Sequence, residues 1–182
     1  MAEQELVFTE SELEEIEKIK AKFPTAKAAT LQVLWVAQRK FGHVKPEVQV
    51  LVADTLGLPH SHVHGVASFY TQYYKEEMGK YVLDVCTCLT CQICGGYEIL
   101  DHLEKKLGIE RGDTTEDGMF SLKEVECLGA CGYAPMLQVS NEMYVNNLTP
   151  EKVDDLIDSL RAGNMPEFES MAMPQHKKRN AG

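Results

Sequence analysis

Apolar residues recur every three or four positions through the first part of the chain, then give way to short alternating runs beyond Gly79. The first pattern predicts helices, the second strands. Thr9 followed by Glu12 predicts a capping-box start, with Leu13, Ile16, Ile19 and Phe23 on one face and Pro24 as the stop. A second helix is predicted over Ala26 to Phe41, with Leu31, Leu34, Trp35, Gln38 and Phe41 on one side and Gly42 ending it. Pro46 suits the first position of a third helix that ends at Gly57 and turns Val48, Leu51, Val52 and Leu56 inward. A fourth opens at Pro59 and runs to about Tyr74, carrying Phe69 into the core. Four short helices with tight connections predict a small bundle.

From Gly79 onward the elements alternate. Tyr81 to Val85 reads as a strand, and Tyr97 to Leu107 as a helix that buries Leu100, Leu103 and Leu107 and stops at Gly108. Arg111 to Gly118 is polar, with Asp117-Gly118 as a turn signal. Phe120 to Val125 reads as a strand. Met136 to Val139 and Met143 to Val145 read as a hairpin turning at Asn141-Glu142. Pro150 opens a last helix with Val153, Leu156, Ile157 and Leu160 inward and Gly163 beyond it. Strand, helix, three strands and helix make an α/β layer. The predicted organisation is a helical bundle over 1–78, an α/β domain over 79–163 and a flexible tail over 164–182. In the tail, the basic run Lys177-Lys178-Arg179 accompanies Phe168, Met171 and Met173, which offer a second reading as a strip laid on a partner. The sequence has no internal repeat.

Charge narrows the partners. Lys plus Arg total 18 against 28 Asp plus Glu, a formal charge of −10. Nucleic acid needs a concentrated basic surface and is excluded on that ground. The first residues, Met1-Ala2-Glu3-Gln4-Glu5, lack the order of an export signal. The longest apolar run, near Leu31 to Ala37, is too short to span a bilayer. The expectation is a cytoplasmic chain with no direct membrane insertion, reaching a membrane only through partners.

All six cysteines fall between Cys86 and Cys131, in the groups Cys86-Thr-Cys88-Leu-Thr-Cys91-Gln-Ile-Cys94 and Cys127-Leu-Gly-Ala-Cys131. Both groups follow predicted strands, so their loops meet if the strand ends do. Thiolates beside glycine-rich backbone are suited to a metal centre, because nearby N–H groups offset the sulfur charge. Disulfides are the plainer reading, but they belong mainly to exported chains. Zinc is a second: Cys88-x2-Cys91 with Cys127-x3-Cys131 can close a tetrahedral site, over a long gap for a ribbon. Iron–sulfur is the third, since Cys86-x4-Cys91 and Cys127-x3-Cys131 give each iron of a binuclear cluster one pair of thiolates. Cys86-x4-Cys91-x2-Cys94 also fits plant-type ferredoxin spacing. Residue spacing leaves the two iron–sulfur sets open.

Val85-Cys86-x4-Cys91, then Val125-Glu126-Cys127-Leu128-Gly129-Ala130-Cys131 and Ala134-Pro135, resembles the thioredoxin-like [2Fe-2S] ferredoxin family. Upstream, Gly65-Val66-Ala67-Ser68-Phe69-Tyr70 resembles the signature of one branch, the E subunits of NADH-quinone oxidoreductase, or respiratory complex I. The resemblance runs from about Phe23 to Leu160. It implies a thioredoxin-like domain behind the helical bundle and one [2Fe-2S] cluster on Cys86, Cys91, Cys127 and Cys131. Cys88 and Cys94 are additions to the family pattern; Cys88 is expected to point away and Cys94 to pack as a small apolar group. It further implies a non-catalytic redox subunit docked on the flavin-bearing F-type subunit, which binds FMN and NAD, within a membrane-associated complex. The cluster of the family sits near flavin, off the main electron path. Similar subunits serve NAD-dependent formate dehydrogenases and hydrogenases, and a free ferredoxin-like carrier is a further alternative.

Other residues invite chemistry. His60, His62 and His64 alternate, but successive helical positions turn by about 100°, so the three diverge and read as exposed helix residues. The Tyr70, Tyr73 and Tyr74 group is expected to turn partly towards a partner. Pro135 suits a strand start in either the cis or the trans form. The chain has no G-x-G-x-x-G after a strand and no Walker A run, so any nicotinamide or flavin belongs to another chain.

Overall fold

A computed structural model describes residues 6–165. The tail expectations, Phe168, Met171, Met173 and Lys177–Arg179 included, fall on residues outside that range. The chain divides into two compact units, Met1–Lys80 and Tyr81–Gly182.

In the first unit, α1 (Glu10–Lys20) starts where the Thr9 and Glu12 spacing predicts. Thr9 N–H donates to Glu12 Oε2 at 2.7 Å and Glu12 N–H to Thr9 Oγ1 at 3.3 Å. The helix ends before Pro24. Lys22 N–H bonds Ile19 C=O at 3.0 Å and Phe23 N–H bonds Lys20 C=O at 3.1 Å, a tighter winding that closes the last turns. α2 (Ala26–Phe41) lies against α1, with Lys40 pairing Glu12 and Arg39 pairing Glu15. That contact selects the side of α1 bearing Glu12, Glu15, Ile16 and Ile19. Leu13, expected inward, sits about 100° away from Glu12 and is exposed.

α3 (Pro46–Leu56) begins on its proline and ends at Gly57, which takes the left-handed φ of 64°. α4 (His60–Phe69) is shorter than the sequence pattern predicts, because Tyr70 is extended at φ −89°, ψ 114°. Val63 and Ala67 form its buried stripe, and Phe69, two positions on and about 200° round the helix, is 77% exposed. The expectation of a core Phe69 is therefore corrected. Tyr73 and Tyr74 fill the core instead, from non-helical backbone, so of the tyrosine group expected to turn partly towards a partner only Tyr70 is exposed. Buried Gln38 on α2 makes this possible. It accepts from Tyr74 N–H at 2.7 Å and donates to Gln72 C=O at 3.0 Å, while Tyr73 Oη donates to Leu31 C=O at 2.8 Å. The two Gln38 bonds satisfy backbone that no helix covers.

In the second unit, β1 (Tyr81–Cys86) is buried along its whole length. It pairs in parallel with β2 (Phe120–Val125), register running from Tyr81↔Phe120 to Cys86↔Val125. On its other edge it pairs antiparallel with β3 (Leu137–Val139), which pairs with β4 (Met143–Val145), giving the order β2-β1-β3-β4. Parallel neighbours need a crossover. It is supplied by the short α5 (Leu89–Ile93), absent from the sequence prediction, and α6 (Gly96–Leu107). α7 (Pro150–Arg161) packs beside α6, where Asp154 meets His102 at 2.9 Å and Lys106 at 3.2 Å. The β3–β4 turn falls at Ser140 and Asn141, both at positive φ, one residue earlier than predicted. Buried Asp84 pairs Lys123 on the adjoining strand at 3.4 Å. Among the described residues, no helix is long and apolar enough to cross a membrane.

Candidate metal centre

Parallel pairing brings the C-terminal ends of β1 and β2 to one edge of the sheet, and both cysteine loops leave from there. Cys86 is the last residue of β1, and its N–H bonds Met136 C=O at 3.2 Å. Cys91 lies on α5, buried beside Cys86. The short helix folds back so closely that a Cβ on Gly96, at the start of α6, would stand 2.9 Å from Cys91 C=O oxygen and 3.0 Å from that of Cys86. Only glycine fits where three backbone segments meet.

The second loop brings Cys127 and Cys131 to 3.5 Å between sulfurs. Gly129 takes φ 82° and aims its N–H at Cys127 Sγ, 3.4 Å away. Tyr144 Oη donates to Leu128 C=O at 2.9 Å and ties the loop to β4. The Ala134–Pro135 bond is cis.

The thiols influence one another across the two loops. Burial and then the adjoining Cys86 thiol push Cys91 up to about 12, against a bond from Met136 N–H to its sulfur. The Gly129 N–H, then the Cys131 thiol, hold Cys127 below the usual thiol range. Cys127 raises Cys131, whose sulfur also meets the Thr90 side chain. Cys131 senses the charge of Cys86, and Cys91 that of Cys131, so the two loops carry their thiols within electrostatic reach of each other.

The remaining cysteines depart from expectation. Cys88 is half-buried with its thiol on Cys127, so it does not point away. Cys94 caps α5 and is exposed, so it does not pack as an apolar group. Neither position was legible from spacing, because both depend on how α5 winds.

Among the described residues, no three His, Cys, Asp or Glu side chains close on one ion; Cys86 lies beside Cys91, and Cys127 beside Cys131. Two thiols per metal, with N–H groups directed at sulfur, is the donor set of a binuclear iron–sulfur centre. The histidines part ways as their spacing requires. His60 bonds Asp54 at 2.9 Å, His62 meets Thr30 at 3.4 Å, and His64 bonds Gln49 at 2.9 Å.

Residues 16–161 match the family model described as thioredoxin-like [2Fe-2S] ferredoxin. The chain is 42% identical over 149 residues to an E-type NADH-quinone oxidoreductase subunit of Rhizobium meliloti (strain 1021), covering 82% of this chain and 88% of that one. It is 40% identical over 154 residues to NADH-quinone oxidoreductase subunit 2 of Thermus thermophilus, covering 84% and 85%. Among solved structures, an NAD+-reducing [NiFe]-hydrogenase superposes with a TM-score of 0.61 at 19% identity, over 71% of this chain and 23% of that one. At that identity the likeness concerns the fold.

Proposed function

The chain belongs to the thioredoxin-like [2Fe-2S] ferredoxin family, and from this we infer that it is the electron-transfer subunit of an NADH-quinone oxidoreductase. The observation that carries the reading is the extent of the match to NADH-quinone oxidoreductase subunits. It covers most of both chains, so it takes in the N-terminal helices as well as the cysteine loops. A free carrier has no need of that first unit; a docked subunit does.

Cys86 and Cys91 would hold one iron of a [2Fe-2S] cluster, and Cys127 and Cys131 the other. When bound, such a cluster supplies a site that takes up and releases one electron. This chain's residues set the surroundings. Gly129 and Met136 direct N–H groups at Cys127 and Cys91 sulfur, offsetting negative charge. Cys86 and Cys91 are buried and Cys127 and Cys131 exposed, so the two ends of the site differ in contact with solvent. The chain is a redox subunit without an NADH site of its own. FMN and NAD belong to the flavin-bearing partner, and the complex holds the subunit at the membrane.

Mixing the anaerobic, oxidised full-length chain with NADH should leave its visible spectrum unchanged until the flavin-bearing subunit is added. Rapid bleaching by NADH in a flavin-free preparation would overturn the subunit reading.

A further inference from the structure

The β1–β2 ladder ends at Cys86↔Val125, and beyond it each strand enters a cysteine loop without further strand pairing to hold it. Thr87 extends the tie. Its N–H donates to Val125 C=O at 3.2 Å, and its hydroxyl donates to Glu124 Oε1 at 2.8 Å. Thr87 stands directly after Cys86, and Glu124 three residues before Cys127, so this contact joins the roots of both loops.

The carboxylate is itself braced. Arg111 donates to Glu124 Oε2 at 3.3 Å. The guanidinium is fixed from α6 by Glu104, at 2.9 Å and 3.2 Å, and by Asp101 at 3.1 Å. Its carbon lies 6.0 Å from the Tyr97 ring centroid. A guanidinium with this many partners has little freedom, so Glu124 cannot follow Thr87 if the loop moves.

We propose that Thr87 and Glu124, braced by Arg111, are positioning residues that hold the two cysteine pairs at the separation a [2Fe-2S] cluster needs. The inference rests on the assignment of Cys86, Cys91, Cys127 and Cys131 as ligands. Its physical content is a charge-assisted bond from the first loop to the end of β2, backed by Arg111, whose guanidinium is held by two carboxylates of α6. Loosening it lets the first loop drift from the second and opens the cluster to attack. Removing the Glu124 charge should raise the midpoint potential, because less negative charge then opposes reduction.

The test uses the full-length, cluster-loaded chain. Loss of visible absorption in an iron chelator gives the cluster lifetime, and EPR of the reduced form gives its symmetry. Thr87→Val keeps the side-chain shape without the hydroxyl, and should lose the cluster about tenfold faster with a shifted EPR signal. Thr87→Ser keeps the hydroxyl and should restore both. Glu124→Gln keeps an oxygen acceptor for Thr87 but loses the charge that Arg111 braces. Its cluster should be lost at a rate between those of wild type and Thr87→Val while its potential rises. Equal lifetimes and spectra for Thr87→Val and wild type overturn this inference alone. So does a Thr87→Ser chain as labile as Thr87→Val. Should Thr87→Val fail to fold, a Glu124→Gln cluster as long-lived as that of wild type, with an unchanged EPR signal, overturns it. A wild-type chain that carries no cluster overturns the ligand assignment and this inference with it.

Discussion

Serine substitution separates the two ligand sets that spacing left open. In the proposed assignment Cys86 and Cys91, neighbours in the first loop, and Cys127 and Cys131, paired in the second, are the ligands, while Cys94 lies at the end of α5 outside both pairs. Cys94→Ser should therefore keep a reducible cluster with a [2Fe-2S]-type EPR signal. Serine at Cys131 should lose the cluster or leave a labile, altered one, because an alkoxide is a harder and poorer ligand for these irons. A colourless Cys94→Ser beside a normal Cys131→Ser would reverse the assignment. Cys88 tests the geometry more finely. Its thiol lies on Cys127 without belonging to either proposed pair, so Cys88→Ser should retain the cluster and shift its spectrum slightly.

At the scale of elements, the helices of the first unit were readable because caps and breakers fix them locally. Thr9 with Glu12, Pro46, Gly42 and Gly57 each act within one turn of chain. What the sequence hid is set by tertiary contacts. The end of α4 depends on buried Gln38 satisfying the backbone around Tyr73 and Tyr74, from more than thirty residues away. Phe69 looks like core by hydrophobicity and is turned outward by where the buried stripe falls. α5 has no apolar stripe to read, since Leu89 and Ile93 are exposed and only Cys91 is buried. The meeting of the cysteine loops was legible, because two strands joined by a helix run parallel and end together. The crossover also carries a pH prediction. Hydrogen bonds from Arg111 hold Glu104 below its usual 4.5, so the carboxylate binds fewer protons folded than unfolded. Its contribution is present above the unfolded value and is lost as pH falls through the folded one. Both side chains are partly solvent-exposed, so the effect should be about 1 kcal/mol or less. Chemical denaturation from neutral to about pH 3 should show a shallower acid decline for Arg111→Met than for wild type. Parallel declines would remove Arg111 from this role.

At the scale of the molecule, the two units have separate cores. One is built from residues between Phe8 and Tyr73, the other from residues between Tyr81 and Leu160. Every cysteine lies in the second unit, and the family match over residues 16–161 extends through most of the first. We propose that the division is one of labour: the second unit holds the cluster and the first serves docking. A core drawn from its own residues, a four-stranded sheet and two packed helices are sufficient for independent folding. A fragment spanning Tyr81 to Met165 should therefore unfold in one cooperative transition, load a cluster on reconstitution, and give the EPR signal of the full chain. Its affinity for the flavin-bearing subunit should fall by at least tenfold, measured by titration, because the helical unit is missing. A fragment that loads its cluster and still binds as tightly as the full chain would place docking on the second unit. A fragment that stays unfolded would make the first unit part of the fold that holds the cysteines.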